Sequence, residues 1–217
     1  MIAAKLVAVV IIGYLLGSIP FGLIISKFKS DIDIREYGSG KTGATNVMRV
    51  AGTKLGVLTM VLDVCKAAGA VLIAKVIMDG GILIIGSVSI HWQHIAQVMA
   101  GLAAVAGHNW PIFAKFKGGR GATAYFGTVL AIFPPAGIFG VEVLAISALR
   151  SRYMSLGSIL GAIATWGLMV PLTIAYGFPP IYLAYGLAAI ALLVYQHRDN
   201  IKRLQQGTER RLGEKDF

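Results

Sequence analysis

The chain has 217 residues, 56% of them hydrophobic and only 14% charged, and its mean hydropathy is +0.73. Such values describe a polytopic membrane protein: a helical crossing takes ~20 apolar residues, so the length allows six or seven spans and excludes a separate soluble domain. Twenty Lys and Arg stand against 10 Asp and Glu, a net charge of +10; in a membrane chain this excess reports orientation before nucleic-acid binding, and it suits anionic lipids or phosphorylated substrates. Cys65 is the only cysteine and lies in an apolar run, so neither an intrachain disulfide nor a cysteine-built metal site is expected.

Apolar runs cover residues 3–26, 55–77, 82–113, 122–149, 156–176 and 181–195. The first is longer than a signal-peptide core and lacks a small-residue cleavage site before Gly17-Ser18-Ile19-Pro20, which predicts a retained first span. The second holds Asp63 and Lys66, three apart, which are expected to pair within it. Asp79-Gly80-Gly81 opens a short outer-face segment before the third span, and His91, Trp92, Gln93 and His94 read as an interfacial polar belt, because the two histidines have no Cys, Asp or Glu beside them to complete a metal site. The fourth run carries Pro134-Pro135 at its centre, which breaks a helix and predicts two short spans of about 13 to 14 residues, ~20 Å each. Glu142 has no evident partner, and Gly157, Gly161 and Gly167 are expected at helix-packing contacts.

Charge decides the count. Basic clusters at 27–54, 115–120, 150–152 and 198–215 hold seventeen of the 20 basic residues, and all four fall on one side only with seven spans. The positive-inside rule then predicts a single all-α domain over 1–217, a plasma-membrane protein with seven transmembrane helices, the N-terminus outside and the C-terminus cytoplasmic.

Three polar segments at the cytoplasmic face stand out, since hydrocarbon does not tolerate exposed irregular backbone. Residues 33–49 combine Gly38, Gly40 and Gly43 with the hydroxyls of Ser39, Thr42 and Thr45 and the cations Lys41 and Arg49, a composition suited to phosphate; Arg35 stands where a nucleotide P-loop needs glycine. Residues 107–123 place Gly118, Gly119 and Gly121 beside Lys117 and Arg120 at the start of a helical run, an arrangement whose amides favour an anion. Residues 197–209 continue the last span as a helix that presents His197 and Asn200 on one face, a possible base and a hydrogen-bonding partner. Taken singly, each has a plain alternative: a capped flexible turn, a positive-inside loop, a basic juxtamembrane tail.

Together, in order, these segments resemble the PlsY family of bacterial membrane glycerol-3-phosphate acyltransferases, which use acyl phosphate. The resemblance covers nearly the whole chain and rests on Gly17-Ser18-Ile19-Pro20, Gly38-Ser39-Gly40, Gly43-Ala44-Thr45-Asn46-Val47 with Arg49, Asp63 with Lys66, Gly107-His108 with Pro111, Phe116-Lys117-Gly118-Gly119-Arg120-Gly121, Ser155-Leu156 with Ser158, and His197 with Asn200-Ile201 and Arg203-Leu204. The family usually has Asn at the Lys41 position, Lys at the Arg120 position, and its Thr one place after Thr123. The resemblance implies acyl transfer from acyl phosphate to the 1-hydroxyl of glycerol 3-phosphate, giving lysophosphatidic acid and phosphate, with no cofactor, no metal and no legible protein partner. By the same resemblance Ser39, Arg49, His197 and Asn200 carry the chemistry, and Gly38, Gly40, Lys41, Thr45, Asn46, Lys117, Gly118, Gly119, Arg120 and Gly121 bind phosphate or substrate. His197 either orients the glycerol hydroxyl or accepts its proton. A small transporter with cytoplasmic anion loops is the competing class; its binding groups would gather at the midplane instead of at one face.

Overall fold

The computed structural model describes residues 1–86 and 88–214. Its elements run α1 (Ile2–Gly17), α2 (Phe21–Ser30), α3 (Ala44–Ala51), α4 (Thr53–Ile77), a hairpin of β1 (Ile82–Ile85) and β2 (Val88–His91), then α5 (Trp92–Asn109), α6 (Ala122–Ile132), α7 (Pro134–Ser151), α8 (Met154–Tyr176), α9 (Ile181–Gln196) and α10 (Arg198–Gln205). Three stretches, Ile2–Ser30, Thr53–Ile77 and Met154–Tyr176, are long and apolar enough to cross a bilayer, and α6 and α9 are shorter apolar helices.

The first stretch is broken at Ser18-Ile19-Pro20. Proline has no N–H to continue the ladder, and the Ile19 carbonyl at the break accepts a 2.6 Å hydrogen bond from Lys66 Nζ on α4. The apolar run at 122–149 breaks at Phe133, because Pro134 and Pro135 occupy the first positions of α7, where a missing N–H costs nothing. The two pieces are unequal, 11 residues in α6 and 18 in α7, about 16 and 27 Å. The near-equal halves expected from sequence are thereby corrected: the prolines start a helix instead of forming the connector, and α7 continues to Ser151 before Arg152 turns left-handed at φ 63°. The outer-face segment is an antiparallel hairpin in which Ile82 faces His91 and Ile85 faces Val88.

Close packing rests on small residues. A Cβ at Gly13 or Gly17 of α1 would run into the backbone of Ala100 or Ala104 of α5, and one at Gly157 or Gly161 of α8 would run into Leu144, Ala148 or Gly140 of α7. Without a hydrophobic drive between helices in lipid, such approach is what lets them adhere. Gly167 is a correction: nothing lies within 4 Å of the place its Cβ would take, so it makes no packing contact. Glu142 is on the exposed side of α7. The main core joins Tyr125, Phe126, Val129 and Phe133 near α6 to Ala162 and Met169 of α8 and Tyr182, Tyr185 and Leu193 of α9. Its buried hydroxyls are satisfied internally, Tyr185 by Thr128 and Tyr182 by Gln97 Oε1 at 2.8 Å. At one end of the bundle Lys5 pairs with Asp79 at 3.0 Å, and the His91, His94 and Tyr182 rings meet edge to face.

Overpacking a close helix contact costs about 1–3 kcal/mol, whereas glycine replaced by alanine in open helix costs nothing and gains helix propensity. Gly161→Leu should therefore lower the thermal midpoint in detergent by several degrees, and Gly167→Ala should leave it unchanged or slightly raised.

Candidate active site

At the opposite end, one cleft is walled by Ser39, Lys41, Thr45, Asn46 and Arg49 from the first polar segment, His108, Arg120, Gly121 and Thr123 from the second, Ser155 and Ser158 at the start of α8, and His197, Asn200, Arg203, Glu209 and Arg210 from the last. All three segments singled out in the sequence thus meet.

The first loop is shaped by glycine and by one asparagine. Gly38 and Gly40 turn at φ 59° and 66°, conformations costly for any side chain. Asn46, 2% exposed, accepts a hydrogen bond from the Ser39 N–H at 2.9 Å and donates to the carbonyls of Ile34, Tyr37 and Lys41 at 3.1, 3.1 and 2.9 Å. Its amide is spent on the loop, so Asn46 holds Ser39 and Lys41 in place. The second loop lies against the first through Thr42 N–H donating to Gly118 O at 3.5 Å. A Cβ at Gly118 would strike the His108 carbonyl and one at Gly119 the His108 Nε2. Gly38, Gly40, Gly118 and Gly119 act from behind the wall, and Lys117 is exposed outside the cleft; of the two cations left open by the sequence, the cleft takes Arg120.

Two residues to which the sequence assigned no role complete the site. His108, 5% exposed, lines the cleft with its Nδ1 3.6 Å from Asp63 Oδ1, the oxygen that also pairs with Lys66 Nζ at 2.7 Å. The Asp63–Lys66 pairing is the one their spacing predicts. Glu209 Oε1 accepts from Ser155 Oγ at 2.8 Å and Asn200 Nδ2 at 2.6 Å, and its Oε2 from Arg203 Nε at 2.7 Å. It thereby fastens the tail across the cleft, where Arg49 Nη2 donates to Arg210 O at 3.3 Å and Arg152 to Leu212 O at 3.0 Å. Nothing in the spacing of Glu209 marks it, because the chain doubles back after α10 at Gly207, φ 69°.

The charges are crowded and partly dry. Burial, with Arg203 and Arg49 nearby, lowers the Arg120 guanidinium to about 10, which leaves it a cation at neutral pH, and burial beside Arg120 and Arg198 also lowers Lys41. Burial works against the Glu209 carboxylate, but hydrogen bonds from Asn200, Ser155 and Arg203 outweigh it and hold the group below its ordinary range. His197 is pushed down to about 4 by burial, partly offset by its contact with the Leu193 carbonyl. Its Nδ1 sits 2.8 Å from that carbonyl, so the neutral ring donates there and leaves Nε2 as an acceptor. The Asn200 Oδ1, buried on α10, has no protein partner among the described residues.

These shifts set a pH dependence of stability. The unfolded chain protonates His197 near 6.5 and the folded chain only near 4, so the unfolded state binds the extra proton and stability falls as pH drops through that window. Glu209 adds a second loss below its ordinary 4.5. Thermal midpoints in detergent should decline from pH 6.5 towards 4, and His197→Gln should flatten that stretch of the curve. Separately, Glu209→Ala strips three hydrogen bonds at once and should cost about 1–3 kcal/mol, read as a lower midpoint at pH 7.

Comparison with known proteins agrees with this geometry. Residues 7–207 match the family described as glycerol-3-phosphate acyltransferase. The chain is 51% identical over 215 residues to glycerol-3-phosphate acyltransferase 3 of Dehalococcoides mccartyi (strain ATCC BAA-2266 / KCTC 15142 / 195), covering 99% of each protein. It is 38% identical to glycerol-3-phosphate acyltransferase of Thermoanaerobacter sp. (strain X514), covering 94% of each. Crystal structures of PlsY (YgiH), an integral membrane glycerol 3-phosphate acyltransferase, superpose with a TM-score of 0.80 in the glycerol 3-phosphate form and 0.79 in the lysophosphatidic acid form, at 39% and 38% identity, covering 96% of this chain in each case and 96% and 95% of theirs. A shared fold, a cleft built from the ordered motifs and full-length identity lead to one assignment: the chain belongs to the membrane glycerol-3-phosphate acyltransferase family.

Proposed function

We propose that this protein transfers an acyl group from acyl phosphate to the 1-hydroxyl of sn-glycerol 3-phosphate, forming 1-acyl-sn-glycerol 3-phosphate and phosphate. The observation that carries this reading is the meeting of Lys41, Arg49, Arg120 and Arg203 with the neutral ring of His197 in a single cleft. Both substrates are phosphates, and cations of this number suit two such groups better than one. The membrane arrangement read from charge goes with it: seven spans, the N-terminus outside, and the cleft opening to the cytoplasm, where glycerol 3-phosphate is dissolved, while the acyl tail stays in lipid.

The hydroxyl oxygen attacks the acyl carbonyl carbon, the bond from that carbon to the phosphate oxygen breaks, and phosphate leaves with the electron pair. The hydroxyl's proton ends on phosphate. Acyl phosphate is already activated, so no covalent enzyme intermediate is required, and holding the two phosphates in register supplies most of the rate. Arg49 and Arg120 neutralise phosphate, Ser39 and Asn200 hydrogen-bond to substrate, and Lys41 and Thr45 complete the anion wall. His197 Nε2 accepts the glycerol hydroxyl's hydrogen bond. A group that protonates near 4 is a weak base at neutral pH, so His197 aims the hydroxyl and a donor phosphate oxygen takes the proton.

Purified protein in detergent, given acyl phosphate, should release phosphate and form lysophosphatidic acid only when glycerol 3-phosphate is added, with acyl-CoA in place of acyl phosphate as the donor control. Release independent of glycerol 3-phosphate, or turnover with acyl-CoA alone, would refute the assignment of acceptor or donor. His197→Ala should lose about 100-fold in kcat, the cost of a misaimed nucleophile, and the activity that remains should lack the inflection near pH 4 that His197 gives the wild type.

A further inference from the structure

The Asp63–Lys66–His108 chain is buried beneath the cleft, and the reaction above assigns it nothing. Asp63 is 1% exposed, His108 5% and Lys66 8%. One edge of the His108 imidazole faces Asp63 Oδ1 at 3.6 Å; the other abuts Gly119 so closely that a Cβ there would overlap Nε2. The backbone of the same residue accepts the Gly119 N–H at 3.1 Å. His108 therefore grips the second loop twice, by ring and by carbonyl, one residue before Arg120. Asp63 is itself fixed by Lys66, whose ammonium also reaches Ile19 O at 2.6 Å, so its carboxylate cannot swing away from the ring.

We propose that Asp63 and His108 are a positioning pair that sets the Gly118–Gly121 loop, and through it the Arg120 guanidinium, for phosphate. The inference rests on the proposed function and deepens it. His108 presses on the loop and stabilises phosphate only through Arg120. A purely structural role, tying α4 to α5, would change stability alone. A positioning role changes how well phosphate is held, and the change passes through Arg120.

The test is a double-mutant cycle on the full-length protein in detergent, with His108→Ala, Arg120→Ala and the pair. The readouts are KM for each phosphate substrate, kcat, and the inorganic phosphate concentration that half-protects the fold against heat, which needs no turnover. His108→Ala should raise KM for one phosphate substrate and the half-protecting phosphate concentration about tenfold, with kcat within about twofold, and the same change should vanish in the Arg120→Ala background. His108→Gln, which keeps a polar group near Asp63, should recover part of the loss. Unchanged KM in folded His108→Ala, full additivity with Arg120→Ala, or a fall in kcat at constant KM would each overturn the proposal. Should His108→Ala fail to fold, His108→Gln and Gly119→Ala, which crowds the same ring from the loop side, take its place under the same criteria. Wild-type protein that binds no phosphate and turns nothing over refutes the proposed function itself, a result distinct from normal wild-type behaviour with an indifferent His108 variant.

Discussion

The cleft depends on a buried ion pair and the imidazole beside it. Lys66, Asp63 and His108 stand in line under the two Gly-rich loops, and the line closes into a ring: Lys66 reaches Ile19 at the break before α2, Gly22 of α2 packs against the Thr42 carbonyl, the Thr42 N–H binds Gly118 O, and Gly118 and Gly119 rest on His108. A lone charge at that depth is expensive, and removing one partner of a buried pair costs about 3–5 kcal/mol. The three groups are therefore committed to one another, and α1, α4, α5 and both loops inherit a fixed register. The break at Ser18-Ile19-Pro20 belongs to the same ring, since an unbroken helix would carry no carbonyl turned toward Lys66.

Above that frame the balance of charge is reversed. Among the described residues, Lys41, Arg49, Arg120, Arg203 and Arg210 share a wall with one carboxylate, Glu209. Glu209 answers Arg203 and ties down Asn200 and Ser155. Cations held this close repel one another, more strongly where burial has thinned the water between them, and burial together with that repulsion lowers both Arg120 and Lys41. In the proposed reaction phosphate relieves it, and this ties affinity to charge: a substrate with two phosphorus-bearing partners in place removes more of the stored repulsion than either partner alone.

Much of this was legible in the sequence, and the parts that were not share a cause. The apolar runs, the proline break, the Asp63–Lys66 pair and the three polar segments all follow from local periodicity and composition. Missed features depend on the path of the chain between elements. Glu209 meets Asn200 and Ser155 only because the tail folds back at Gly207, and no helical spacing links 155, 200 and 209. His108 is one aromatic residue at a helix end until α4 places Asp63 beside it. Lys117 and Arg120 look alike in a basic glycine-rich string, but Lys115 and Phe116 adopt left-handed backbone, φ 55° and 60°, and the turn they make leaves Lys117 outside while Arg120 faces in. Gly167 shares a helix with Gly157 and Gly161 and lacks their neighbours, because at 3.6 residues per turn it lies on a different face from theirs.

The two histidines of the cleft show how environment divides labour between like groups. His108 has a carboxylate at one edge and loop backbone at the other, which fixes its position and occupies its reach. His197 has a backbone carbonyl behind it, with Arg120 and Glu209 nearby; burial keeps it neutral, and donation from Nδ1 to that carbonyl leaves Nε2 as the acceptor. A bare imidazole nitrogen among cations is a good acceptor of a hydrogen bond and a poor acceptor of a proton, because protonation would add one more positive charge to the wall. In the proposed reaction the proton therefore goes where negative charge is accumulating, onto the departing phosphate, and the cations that bind that phosphate also hold the receiving oxygen in reach. Binding and proton transfer are then served by one set of charges, which explains how so small a chain can do without a separate acid and base.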